Sequence, residues 1–326
     1  MSAAEDRAKA IGNGDRRALA RAITLVESTR PDHRREALAL LDAVMPQTGK
    51  AIRLGISGAP GVGKSTFIEA LGMQLIEAGR RLAVLAVDPT SARAGGSILG
   101  DKTRMEALGR SANAFIRPSP SGTGLGGIAR RSREALLLCE AAGFDVVIVE
   151  TVGVGQAEIA VRDMVDMFLL LVAPAGGDDL QGIKRGIVEI ADLLVVNKAD
   201  GELTDVAIRT RADYQSALDL LRTTSPNWRV PVLAASALEG TGIAEVWQAV
   251  EDHRTALDES GERDARRAQQ ALAWMWSEVS ETLAARLRAS PAVAARLSEV
   301  EAAVSQGRES PTAAAASLLA TFLAEN

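Results

Sequence analysis

The chain has 326 residues, 47% of them apolar, with 37 basic against 42 acidic side chains and a net charge of −5. That is enough apolar material for a large core, and the slightly acidic balance gives no electrostatic footprint for nucleic acid or an anionic membrane. A single cysteine, Cys139, excludes an internal disulfide, and with His33 and His253 as the sole histidines no His/Cys metal cluster can be assembled.

The first residues carry no apolar signal core, so a cytoplasmic setting is expected. Residues 1–50 read as a helical extension. Asp15 suits an N-cap ahead of the stripe Leu19, Ala22, Ile23 and Val26, and Pro31 restarts the pattern with Leu38, Leu41, Val44 and Met45. From 51 to 256, strands alternate with helices. Strands are expected at 52–57, 81–88, 144–150, 166–172, 192–197 and 230–235. This alternation predicts an α/β fold, a mostly parallel sheet covered by helices on both faces. The basic run Arg130, Arg131 and Arg133 sits on a helical pattern and reads as a solvated face, whereas Cys139 lies among leucines and reads as buried. The apolar run from Met167 is far too short to span a bilayer.

Beyond 257 the strand signal ends. A long helix is expected over 264–289, with Leu272, Met275, Val279, Leu283 and Leu287 at helical spacing, and Pro291 and Pro311 open two alanine-rich helices. Such an arm, with Trp274 and Trp276 on it, either packs on the sheet or pairs with a second copy in a two-fold homodimer.

The chemistry begins after the first strand. Gly58, Ala59, Pro60, Gly61, Val62, Gly63, Lys64, Ser65 and Thr66 match the phosphate-loop pattern G-x-x-x-x-G-K-[ST]. An apolar strand precedes them, and Phe67, Ile68, Leu71, Leu75 and Ile76 follow at helical spacing. Strand, glycine loop and helix together make the motif mechanistic. Backbone N–H groups and the helix N-terminus hold phosphates, Lys64 reaches the β- and γ-phosphates, and Ser65 ligates Mg²⁺.

The base is addressed further along. Asn197, Lys198, Ala199 and Asp200 close an apolar strand, where open α/β sheets bind ligands. A carboxylate only accepts, so Asp200 pairs with the N1–H and 2-amino group of guanine, a donor pair adenine lacks. Asn197 can meet the N7 side, and the Lys198 stem can lie along the ring. Ser236, Ala237 and Leu238 follow the next strand, and their backbone amides can bind guanine O6. Together these elements favour GTP over ATP.

Three carboxylates stand between the motifs. Asp88 and Glu150 end strands, and Asp101 lies on a loop. Each can hold the Mg²⁺ hydration shell, orient the attacking water, or simply cap a helix. Gln156 reads equally as a water-positioning group or a surface side chain.

The phosphate loop, the Asp88-Pro-Thr stretch, the segment Gly95-Gly-Ser-Ile-Leu-Gly-Asp-Lys-Thr-Arg104, Glu150-Thr-Val-Gly-Val-Gly-Gln156 and the N-K-x-D tetrapeptide closely resemble the MeaB/ArgK family. These are methylmalonyl-CoA mutase-associated GTPases, similar to the human methylmalonic aciduria type A protein. The resemblance spans nearly the whole chain. It implies a phosphate-loop GTPase core over 51–256, a C-terminal dimerisation arm over 257–326, and Asp88 near the hydrolytic water. It also implies a coupling loop over 174–184 that includes Gln181 and Lys184. The implied partner is adenosylcobalamin-dependent methylmalonyl-CoA mutase, which the family protects and helps load with cofactor. The alternatives are a small-molecule kinase and a metal-delivery GTPase; the latter calls for His/Cys clusters that this sequence lacks.

If Asp200 reads guanine, Asp200→Asn will weaken GTP binding and favour xanthosine triphosphate, whose C2 carbonyl accepts instead. Sites built around such hydrogen bonds discriminate by up to about 10⁴–10⁵-fold. Competition binding of the two nucleotides checks this, and unchanged GTP affinity would remove the guanine assignment.

Overall fold

The computed structural model describes residues 2–87, 105–118, 125–151, 157–174, 185–220 and 225–325. Three helices come first: α1 (Ala3–Gly12), α2 (Arg16–Glu27) and α3 (Pro31–Val44). Asp15 caps α2, its carboxylate accepting from the Arg17 and Ala18 N–H groups, and Leu19, Ala22, Ile23 and Val26 are buried as their spacing predicts. On α3 the expected stripe is rotated. Ala37, Leu40, Leu41 and Val44 are buried, while Leu38 and Met45 are 48% and 50% exposed. The face is set by packing against α1 and α2, where Ala37 permits close approach.

Seven strands follow with their helices: β1 (Ile52–Gly58), α4 (Lys64–Glu77), β2 (Leu82–Val87), α5 (Glu106–Arg110), β3 (Ala114–Arg117), α6 (Leu125–Ala141), β4 (Val146–Thr151), α7 (Ala157–Arg162), β5 (Met167–Val172), α8 (Arg185–Glu189), β6 (Leu193–Val196), α9 (Thr204–Asp219), β7 (Val232–Ala234) and α10 (Ile243–Glu259). The sheet order is β3-β2-β4-β1-β5-β6-β7, and every pair is parallel. Strand β3 is absent from the sequence expectations. It has four residues and pairs with β2 alone at the sheet edge, too short to show a period.

Alternation along the strands divides the core. Leu54 and Ile56 of β1, with Val146 and Ile148 of β4, pack with α4, α5 and α10. Val147 and Val149 face the other way, toward α1, α2, α3, α6 and α7. The N-terminal helices therefore cover one face of the sheet. They also explain a correction on α6: the run expected to be solvated includes Arg131 at 4% exposure, beside buried Ser132 and Glu134. Helix α6 packs against α2 and α3, where Arg34 meets the Glu134 carboxylate at 2.5 Å. Cys139 is buried as expected, and burial, with the Glu140 charge, pushes its thiol well above the ordinary range. No helix among the described residues is long and apolar enough to cross a membrane.

The last three helices are α11 (Glu262–Ala289), α12 (Pro291–Ser305) and α13 (Pro311–Glu325). The chain forms two compact units, residues 1–268 and 269–326. In the second, α12 and α13 pack as a hairpin, with Val293 and Ala314 buried and Arg296 donating to Ser317 and Thr321. Leu272, Met275, Trp276, Val279 and Leu283 of α11 are exposed.

The first turns of α11 belong to the first unit, held by Glu262, which accepts from Ser225 and Asn227, by Arg266, which donates to Asp166 O, and above all by Arg267. Arg267 donates to both carboxylate oxygens of Asp166 at 2.7 Å, to Gly49 O at 2.6 Å and to Ala51 O at 2.8 Å. It thereby clamps the helix to the entries of β1 and β5. Burial works against the Asp166 charge, but Arg267, Arg53 and the Arg53 N–H outweigh it and hold the carboxyl below its ordinary value. Arg267→Met, which strands a buried carboxylate, will destabilise the protein by about 3–5 kcal/mol in denaturant titrations. Because the native pKa is lowered, the stability from this pair is intact above about pH 4 and is lost as pH falls through the native value. Melting curves from pH 7 downward will accordingly show a shallower acid slope in the variant.

Candidate functional site

All strands run the same way, so the carboxyl ends of β1, β2, β4 and β6 gather at one pole, where the motif residues meet. Strand β1 runs into the loop of residues 58–63 and then directly into α4. Gly61 and Gly63 have φ of 81° and 91°, in the left-handed region that favours glycine. Gly63 is also crowded: a Cβ there would stand 2.8 Å from Asn197 Nδ2. No side chain caps α4, so its first N–H groups and its dipole stay available to an anion. Lys64 crosses back over the loop, its Nζ donating to Gly58 O at 2.6 Å and Ala59 O at 3.2 Å. Ser65 is half-buried in the first helical turn, and Thr66 beside it is exposed.

Glu150 lies on β4 opposite Ile56 of β1 and Ala86 of β2, and is 6% exposed. Two positions beyond Ile148, it projects to the face that α4 covers. Ser65 and Glu150 thus offer hard oxygen donors beside the phosphate-binding helix. That suits Mg²⁺, which takes few protein ligands and fills its shell with phosphate and water. Asp88, Asp101, Gln156, Gln181 and Lys184 lie outside the described residues.

The N-K-x-D turn and the serine segment after β7 are tied to the phosphate loop. The Asn197 amide, 1% exposed, donates from Nδ2 to Val62 O at 2.8 Å and accepts at Oδ1 from Ala237 N at 3.2 Å. One side chain thus joins the phosphate loop to the segment after β7. Lys198 is exposed and has φ of 62°, the one non-glycine residue in the left-handed region among those described. This turns the chain so that Asp200 follows at the site. Ser236, fully buried, donates its hydroxyl to the Asp200 carboxylate and accepts from Glu239 N at 3.1 Å. Leu238 projects into solvent at 81% exposure. The sequence pattern locates Asn197 and Ser236 but not their ties to Val62 and Asp200, which are contacts across strands. Ser57 and Thr151, joined by a buried hydrogen bond, are likewise missed; their one signal is adjacency to Gly58 and Glu150.

A phosphate loop entering a helix, a buried carboxylate on the helix face and an N-K-x-D turn held to a serine-bearing segment thus stand together at one pole, as the sequence motifs for a guanine-nucleotide site require. Residues 19–292 match the family model described as methylmalonyl Co-A mutase-associated GTPase MeaB. The chain belongs to the MeaB family. It is a GTPase with the phosphate-loop fold, and membership implies binding of GTP and GDP. A putative GTPase of Caulobacter vibrioides is 58% identical over 95% of this chain and 94% of its own length. The mitochondrial methylmalonic aciduria type A homolog of Mus musculus is 49% identical over 95% of this chain and 77% of its own. Among solved structures, an LAO/AO transport system kinase superposes with a TM-score of 0.78 at 41% identity, covering 98% of this chain and 97% of that one.

Two variants separate the roles at this pole. Lys64→Ala will lose nucleotide affinity with little loss of stability, since it removes a partly exposed cation that neutralises phosphate. Asn197→Ala will lose both, because Val62 O and Ala237 N are left without partners, at about 1–3 kcal/mol each. Calorimetric GTP binding and urea unfolding on each variant check the distinction.

Proposed function

We propose that GTP hydrolysis by this chain serves adenosylcobalamin-dependent methylmalonyl-CoA mutase, gating cofactor loading and protecting the mutase from inactivation. The observation that carries this is the match of residues 19–292 to a family whose description names association with that mutase. The identity of 49% to a methylmalonic aciduria type A homolog supports it.

In this scheme Mg²⁺ is held by Ser65 with Asp88, Asp101 or Glu150 beside it, and supplies charge neutralisation at the phosphates. Lys64 stabilises the same charge, and Asp88 orients the water. Asn197, Lys198, Asp200, Ser236, Ala237 and Leu238 hold the base. Gln181 and Lys184 on the loop over 174–184 report the nucleotide state to the mutase. Residues 257–326 act as a homodimerisation arm, and the exposed stripe Leu272, Met275, Trp276, Val279 and Leu283 supports that role. The setting is the cytoplasm, with neither nucleic acid nor membrane as partner.

A partner that prefers one nucleotide state must change the affinity of that state by the same factor. GTP turnover measured with and without purified mutase tests the scheme. Basal rates of roughly 10⁻⁴ to 10⁻² s⁻¹ are expected. They should rise with the mutase, and the rise should fall in Lys184→Ala. Asp88→Ala should lower turnover while leaving GTP affinity near wild type. Absence of both stimulation and nucleotide-dependent binding would remove the mutase as partner.

The alternative is a small-molecule kinase, favoured by the similarity to the solved LAO/AO transport system kinase. Incubation with γ-labelled GTP and candidate amino acids separates the two: a labelled product other than free phosphate supports the kinase.

A further inference from the structure

Two buried hydroxyls meet where the phosphate loop and the segment after β4 begin. Thr151 Oγ1 donates to Ser57 Oγ over 2.7 Å, and both residues have 0% exposure. Ser57 directly precedes Gly58, and Thr151 directly follows Glu150. Ile56 stands opposite Glu150 in the β1–β4 register, so Ser57 and Thr151 are the next residues along both strands. Alternation turns them to the face of Val149, away from Glu150. Apolar Val149, Leu170 and Val172 share that face, and a valine would fill the volume of Thr151. Retaining two hydroxyls there has a desolvation cost that their mutual hydrogen bond offsets.

We propose that the Thr151–Ser57 hydrogen bond is a positioning element for GTP hydrolysis, fixing the end of β4, and Glu150 with it, against the base of the phosphate loop. Thr151 acts through Glu150, so the proposal rests on the role given above to that carboxylate. The geometry around Gly58 makes the link effective. On its other side β1 is wedged against β5, where a Cβ on Gly58 would stand 2.5 Å from Leu171 O. The end of β1 therefore cannot follow a displacement of β4. Such a displacement would change the distance between Glu150 and the phosphates directly.

The test uses the full chain and four variants. Thr151→Val keeps the shape but strands the Ser57 hydroxyl. It is expected to lower the melting temperature and to reduce kcat about tenfold, within the range that small misplacements produce, with KM for GTP nearly unchanged. Thr151→Ser keeps the donor and is expected to restore kcat. Combining Ser57→Ala with Thr151→Val removes both hydroxyls, so the melting temperature should recover toward wild type while kcat stays low. A merely structural pair behaves otherwise: kcat returns together with stability in the double variant. That result overturns the proposal, as does a loss expressed only in KM. Glu150→Gln is the fourth variant. If it turns over normally while Thr151→Val does not, the claim that Thr151 acts through Glu150 is overturned, and with it the role of that carboxylate. Low turnover in both, with rescue by Thr151→Ser, supports the proposal.

Discussion

The site depends on one buried amide. Strands β1 and β6, which lead into the phosphate loop and the N-K-x-D turn, are separated by β5 and so run about 10 Å apart toward the sheet's carboxyl pole. The parallel sheet brings them to the same end without holding them together. Asn197 closes that gap, donating to Val62 O and accepting from Ala237 N, so phosphate loop, N-K-x-D turn and serine segment become one rigid constellation. Gly63 belongs to the same constraint. A side chain there would occupy the place of the Asn197 amide, so the glycine that lets the loop turn also admits its tether.

The two faces of the sheet divide the work. Glu150 shares the face of α4 with the apolar residues that seat the phosphate-binding helix. Ser57 and Thr151 look to the opposite face, under the N-terminal helices, α6 and α7. The amino pole is fastened separately by Arg267, whose guanidinium joins the entries of β1 and β5 to the first turns of α11. The central strands are thus braced at their entries by an ion pair and at their ends by a hydroxyl pair.

What the sequence disclosed follows from locality. The phosphate loop, the N-K-x-D turn and the Asp15 cap each need only neighbouring residues, and six of the seven strands announce themselves as apolar runs. The remaining features are decided by distant elements. The buried face of α3 is chosen by α1 and α2, and Arg131 is enclosed because those helices fold over α6. Strand β3 owes its existence to β2, and the Ser57–Thr151 contact joins residues 94 apart in the chain. No local pattern encodes any of these. Asp88, Asp101, Gln156, Gln181 and Lys184 stay legible as motif positions, outside the described residues.

Cys139 has a practical corollary. It is the single thiol of the chain, it sits in the core at 0% exposure, and burial disfavours the thiolate that would react. A cysteine placed on the surface would therefore be the one nucleophile that maleimide or spin-label reagents find. Paired labels on α11 and beside the phosphate loop can report distances in solution from the native background, with no cysteine to remove first.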